Sequence, residues 1–175
     1  MLFVNKAEAA SLQQAYVRLD RMKASTATGG TVCVKTAVAD VTESTVAITF
    51  PAGFTLDETA GNWSTTTTNL PPTASAWTTI GATATSAVNA TRIVTFSSGN
   101  LAANTLFCFN FSGTGTLTTS TAGINKTGTI TTGGNSSDYA TAIVSSPDDQ
   151  VLITATVPAT FTFSLSGNTD TFASN

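Results

Sequence analysis

From Leu12 onward, apolar and polar positions alternate with a period of two. Ala15, Val17 and Leu19 fall on one side of an extended chain, with Tyr16, Arg18 and Asp20 on the other, which predicts a first strand. Gly29-Gly30 reads as a turn. Residues 31–38 form a second strand, with Val32, Val34 and Val38 opposed to Thr31, Cys33 and Lys35. Residues 40–43 make a polar connection, and 45–50 put Val46, Ile48 and Phe50 on one face until Pro51 and Gly53 stop the run. Residues 65–85 are rich in Thr, Ser and Ala, and Pro71-Pro72 excludes a continuous central strand there. Clearer strands are predicted at 91–96, 105–111 and 140–144, with short strands and hairpins in the Thr/Gly-rich zone 113–134. Residues 151–157 alternate until Pro158. Helical periodicity is nowhere sustained.

Many short strands punctuated by Gly and Pro predict an all-β fold, an Ig-like antiparallel β-sandwich over residues 10–157. After Pro158 a fresh apolar stripe begins with Phe161, Phe163 and Leu165. Residues 158–175 are therefore either the first strand of a second β domain or an extension of the first domain's sheet.

Composition supports the strand assignment. The chain holds 37 Thr and 17 Ser in 175 residues, and β-branched Thr is favoured on a pleated surface. Charged residues make up only 10 %, so hydroxyls and amides must supply the surface polarity. A net charge of −3 offers no footprint for nucleic acid. Arg18, Arg21 and Lys23 cluster near the N-terminus and read as gatekeepers of an edge strand. No apolar run approaches the roughly 20 residues that a spanning helix requires.

Cys33 and Cys108 are the only cysteines, and they lie 75 positions apart inside two well-defined strands. Two thiols without His cannot make an ordinary four-ligand zinc site, and the spacing is not that of a redox Cys-x-x-Cys pair. A disulfide is the expected state in an exported protein. Phe107, Phe109 and Phe111 share one face of their strand, and Leu106, Cys108 and Asn110 share the other. If Phe and Val face the core, both cysteines look outward. A bridge between neighbouring strands, or across an outer layer, then fits better than an antibody-type pin through the core. Trp63 and Trp77 bracket the Thr-rich stretch. They read as caps on the core or, in a rival reading, as stacking platforms for a sugar.

Catalytic chemistry finds no foothold. Without His, Ser-His-Asp and Cys-His systems are excluded in this segment. The adjacent pairs Asp57-Glu58 and Asp148-Asp149 sit in loop-like stretches and read as solvated turns. Gly29-Gly30 and Gly133-Gly134 precede no helix start, so they are not phosphate cradles. No catalytic, metal or cofactor residue is assigned, and no cofactor is expected. Five Asn-x-Ser/Thr triplets begin at Asn62, Asn89, Asn110, Asn125 and Asn135, and many such triplets arise by chance in so Thr-rich a chain.

The N-terminus points to export. Ala7-Glu8-Ala9-Ala10 carries small residues at −3 and −1 after a short apolar stub. Residues 1–9 thus read as the end of a secretory signal, with cleavage between Ala9 and Ala10.

Taken together, several segments resemble a particular family. They are Asn5-Lys6-Ala7-Glu8-Ala9-Ala10-Ser11-Leu12, Arg21-Met22-Lys23-Ala24-Ser25, Val32-Cys33-Val34-Lys35-Thr36, Asn62-Trp63 and Leu106-Phe107-Cys108-Phe109-Asn110-Phe111. The chain is similar to the N-terminal β-rich module of large secreted Thr/Ser-rich surface proteins of uncultured small-genome bacteria. That resemblance implies a cell-surface location and brings no catalytic residues. The expectation is a non-enzymatic structural or adhesive module, a fragment of a larger surface protein. Its partners would be other surface-protein modules or cell-envelope components. Two alternatives stand beside it. One is a carbohydrate-binding module that takes glycans on exposed Trp63 and Trp77. The other is a filament subunit that donates its first strand to a neighbour.

Overall fold

The computed structural model describes residues 12–39, 43–112, 116–133 and 135–143. The expected cleavage at Ala9 and Ala10, the strand at 151–157 and the stripe from Phe161 to Leu165 lie outside the described residues. Along the chain run β1 (Gln14–Leu19), β2 (Ala27–Thr28), β3 (Gly30–Lys35), β4 (Thr45–Thr49) and β5 (Thr55–Leu56). A 3-10 turn (Ala60–Asn62) precedes β6 (Ser64–Thr66), β7 (Ser75–Ala76), β8 (Ala84–Val88) and β9 (Ile93–Ser97). The last four are β10 (Leu106–Ser112), β11 (Leu117–Thr118), β12 (Gly123–Thr132) and β13 (Asn135–Ile143). The described chain is all-β, with no α-helix.

Two main sheets form the layers of a sandwich. One has the order β1-β3-β10-β6, with β7 also pairing β10; the other runs β13-β12-β4-β9-β8. Pairing in both is antiparallel except for the short β7–β10 contact. A small sheet, β2-β11-β5, accompanies them. The two layers are stitched along one side. Ser64 bridges Thr83, Thr65 N–H donates to the Ala82 carbonyl, and Ala84 N–H donates to the Trp63 carbonyl. On the other side β1 lies against β13.

The faces follow the alternation. Val46, Ile48 and Phe50 are buried from β4 and its end, Val94 and Phe96 from β9, Val32 and Val34 from β3, and Phe109 and Phe111 from β10. These side chains, with Trp63, Trp77, Leu117 and Ile130, form one core. Aromatic rings run through it. Phe50 contacts Phe54, Trp63 and Phe111, and Phe109 meets both Trp77 and Phe96 edge-on. Edge-to-face rings at these separations add to simple area burial.

Several local expectations change. Gly30 is not part of a turn; it opens β3. A Cβ there would meet the Arg18 carbonyl at 2.6 Å and the Phe111 ring at 3.0 Å, so glycine permits close strand packing. Because β3 ends at Lys35, Val38 leaves the buried row and is 61 % exposed. The Thr-rich stretch around Pro71-Pro72 supplies only the short strands β6 and β7 before β8 begins at its end, at Ala84. The zone expected to hold only short strands and hairpins contains the ten-residue β12. Thr is at home in a long strand, and β12 is paired on one side by β13 and over residues 129–132 by β4 on the other.

Candidate functional site

Cys33 and Cys108 are direct cross-strand partners in the β3–β10 ladder. They form a disulfide with their Cα atoms 4.2 Å apart, close to the spacing of the nearer opposed pairs in an antiparallel ladder. The bridge therefore joins neighbours within one sheet, one of the two arrangements that the alternation left open. The cysteines also sit on the opposite face from Val32, Val34, Phe109 and Phe111, off the aromatic cluster. One point is corrected: both are 0 % exposed, so they do not look into solvent. Tyr16 of β1 lies opposite Cys33, and Ala76 of β7 lies beside Cys108, so the rung is flanked on both sides.

A polar rung lies two residues along the same face. The Arg18 guanidinium donates to Thr31 Oγ1 at 3.3 Å, and the Thr31 hydroxyl donates to Asn110 Oδ1 at 2.6 Å. Asn110 Nδ2 then donates to the Thr68 carbonyl at 2.7 Å. The loop after β6 is thereby held against this face. The alternation placed Thr31 and Asn110 on the outer row but offered no sign that they would join, because their partners are 79 and 42 positions away.

Neither tryptophan is a platform. Trp63 and Trp77 are each 0 % exposed, which removes both rings from any sugar-stacking role and places them in the core. Each indole N–H is satisfied, as a buried indole requires. Trp63 Nε1 donates to the Asp57 carbonyl at 2.8 Å, and Trp77 Nε1 donates to Ser98 Oγ at 2.9 Å. Ser98 in turn donates to Glu43 Oε1 at 2.6 Å. Glu43, from the polar connection before β4, is buried. A shallow groove of about 210 Å³ is lined by Thr65, Thr66, Thr67, Thr78 and Ile80. Trp77 is among its lining residues but exposes none of its surface, so the opening presents hydroxyls and methyls.

The carboxylates Asp57 and Glu58 serve separate structural ends. Asp57 accepts from Asn62 Nδ2 and from the Thr59 N–H at 2.8 Å, while Glu58 accepts from the Asn89 N–H at 3.0 Å. The Asn62 amide, with the Thr59 N–H second, holds the Asp57 carboxyl below the usual carboxylate range. These bonds pin the 57–62 turn to the 89 turn, where Asn89 Oδ1 also accepts from the Leu56 N–H at 2.8 Å. Asp148-Asp149 lies outside the described residues. Among the described residues no group of three or more His, Cys, Asp or Glu comes together to hold a metal.

No family model, curated protein or solved structure matches the chain. The class that the fold defines is an all-β sandwich braced by a buried intra-sheet disulfide.

Proposed function

We propose that this chain is a non-enzymatic module of an extracellular or cell-surface protein, an Ig-like sandwich with a structural or adhesive role. The observation that carries the reading is the buried Cys33–Cys108 bridge, because structural disulfides persist in oxidising compartments and are rare in reducing ones. The signal-like Ala7-Glu8-Ala9-Ala10 segment points the same way. Surface polarity made of Thr and Ser hydroxyls suits a module that stays soluble without a dense charge network. The same face of the fold that buries the bridge also fastens a loop through Asn110, which favours a rigid spacer or scaffold. Burial of Trp63 and Trp77 leaves the carbohydrate-stacking alternative without its residues. In the filament alternative the first strand would be donated to a neighbour, whereas β1 is paired with β3 of its own chain over six residues.

Two measurements test the proposal. Antibodies raised against the folded chain should label intact source cells, and added protease should remove that label. Labelling only after lysis would overturn it. Export of the chain fused behind a secretory leader should yield a mature N-terminus at Ala10, and retention of the uncleaved chain inside the cell would count against the exported reading.

A further inference from the structure

The fold sorts the Asn-x-Ser/Thr triplets. In β12, Gly123 pairs Ile143 and Lys126 pairs Thr141, so the ladder carries one extra residue between them. Ile124 and Asn125 occupy this β-bulge. Asn125 adopts a left-handed φ of 54°, which asparagine tolerates better than most residues. Asn125 and Thr127 are both exposed, and Ile124 beside them is 78 % exposed. The Asn125 carboxamide makes no hydrogen bond among the described residues. The Thr127 hydroxyl donates to the Asn125 backbone carbonyl at 3.3 Å, a bond within the triplet that ties it to no other segment.

Three other triplets are engaged elsewhere. Asn110 uses both ends of its carboxamide, toward Thr31 and Thr68, within a strand paired on both sides. Asn62 Nδ2 donates to Asp57, and Ser64 of the same triplet donates to the Ser112 carbonyl at 3.0 Å. Asn89 accepts from the Leu56 N–H, and its Thr91 hydroxyl donates to the Val88 carbonyl at 3.4 Å. In each case the asparagine or its hydroxyl partner must first leave a bond that holds two segments of the fold together.

We propose that Asn125 is an acceptor site for N-linked glycan and that the folded chain presents it in preference to Asn62, Asn89 and Asn110. The donor class is an oligosaccharide carried on a polyprenyl pyrophosphate. Transfer forms a bond from Asn125 Nδ2 to the anomeric carbon of the first sugar. The anomeric C–O bond breaks, its electron pair leaves with the pyrophosphate, and the amide proton passes to a carboxylate of the transferase. A β-bulge at a sheet margin can enter a transferase cleft without dismantling a ladder, whereas Asn110 cannot. The biological setting rests on the extracellular reading above, but the test does not, since it uses purified protein.

The experiment takes the folded, disulfide-bonded chain with Ser137→Ala, which removes the Asn135 triplet. It is incubated with lipid-linked oligosaccharide and a single-subunit oligosaccharyltransferase that accepts any Asn-x-Ser/Thr. Peptide mapping should find one glycan, at Asn125. Its occupancy should be at least about tenfold that of any other site, because exposing the others first breaks hydrogen bonds. Adding Asn125→Gln or Thr127→Val should abolish the modification, and Thr127→Ser should keep it. The reduced, denatured chain should accept glycan at the other triplets as well. Equal or greater occupancy at Asn62, Asn89 or Asn110 of the folded chain would overturn the proposal, as would a folded chain left unmodified at Asn125. Surface labelling of source cells is a separate result, so failure of one reading is distinguishable from failure of the other.

Discussion

Phe109 shows how much a single position can carry. It is fully buried, with Trp77 at 5.4 Å and Phe96 at 5.2 Å between ring centroids, so it links the two layers. Phe109→Ala should lower unfolding stability by about 3–5 kcal/mol through lost transfer energy and a residual cavity, as read by chemical denaturation. A loss below about 1 kcal/mol would mean that the site collapses freely. Thr132 makes the opposite case. Its Oγ1 is buried and has no hydrogen-bond partner among the described residues. Thr132→Val keeps the shape and removes the unpaired hydroxyl, so stability should rise by about 1–2 kcal/mol. An unchanged or lower denaturation midpoint would contradict this account.

At the scale of elements, the β12–β13 hairpin joins β4 through the β12–β4 ladder, and one side chain of β13 reinforces that junction. Tyr139 lies opposite Gly128, and a Cβ at Gly128 would stand 2.6 Å from the Tyr139 ring, so the glycine makes room for the tyrosine. The Tyr139 hydroxyl donates to the Thr49 carbonyl at 3.2 Å. Burial raises the Tyr139 pKa well above the ordinary value near 10. The sign follows from linkage. In the unfolded chain Tyr139 loses its proton near pH 10, whereas in the folded chain it keeps it. Its contribution is therefore complete below about pH 10 and lost as pH rises from there toward the folded pKa. Tyr139→Phe should cost about 1 kcal/mol at neutral pH, for the lost hydrogen bond. It should also flatten the alkaline decline measured by denaturation between about pH 9.5 and 11. A variant with the same alkaline slope as the parent would show that Tyr139 does not titrate on unfolding.

Across the whole molecule, the disulfide closes a loop with a sequence separation of 75. In the chain-entropy account a loop of that size is worth about 4 kcal/mol, exerted on the unfolded state. Because the bridge lies outside the aromatic core, replacing Cys33 and Cys108 together by Ala should lower stability by about that amount while leaving the strand content unchanged. Alanine is the better probe because serine would bury two hydroxyls at a site with no exposure. Equilibrium unfolding compared with circular dichroism checks both halves. Loss of the folded spectrum would show that the bridge organises the sandwich as well as stabilising it.

Which side of a strand faces inward was legible in the chain because a strand's side chains alternate with a strict period of two, a local property. Val46, Ile48 and Phe50 turned in together, and Cys108 took the face opposite Phe109 and Phe111, as that period requires. Most strand positions followed for the same reason, though β12 was longer than its Thr/Gly composition suggested. What local pattern does not carry is register and layer. Only the tertiary structure put Cys33 directly opposite Cys108, buried that rung between β1 and β7, and drew Asn110 to Thr31 and Thr68. It also decided between the two readings of the tryptophans, in favour of core over platform, and buried Glu43 against Ser98. Each of those outcomes depends on segments far apart in the chain arriving side by side. A side chain's face is set by its own backbone, but its partners and its exposure are set by whatever packs above and beside it.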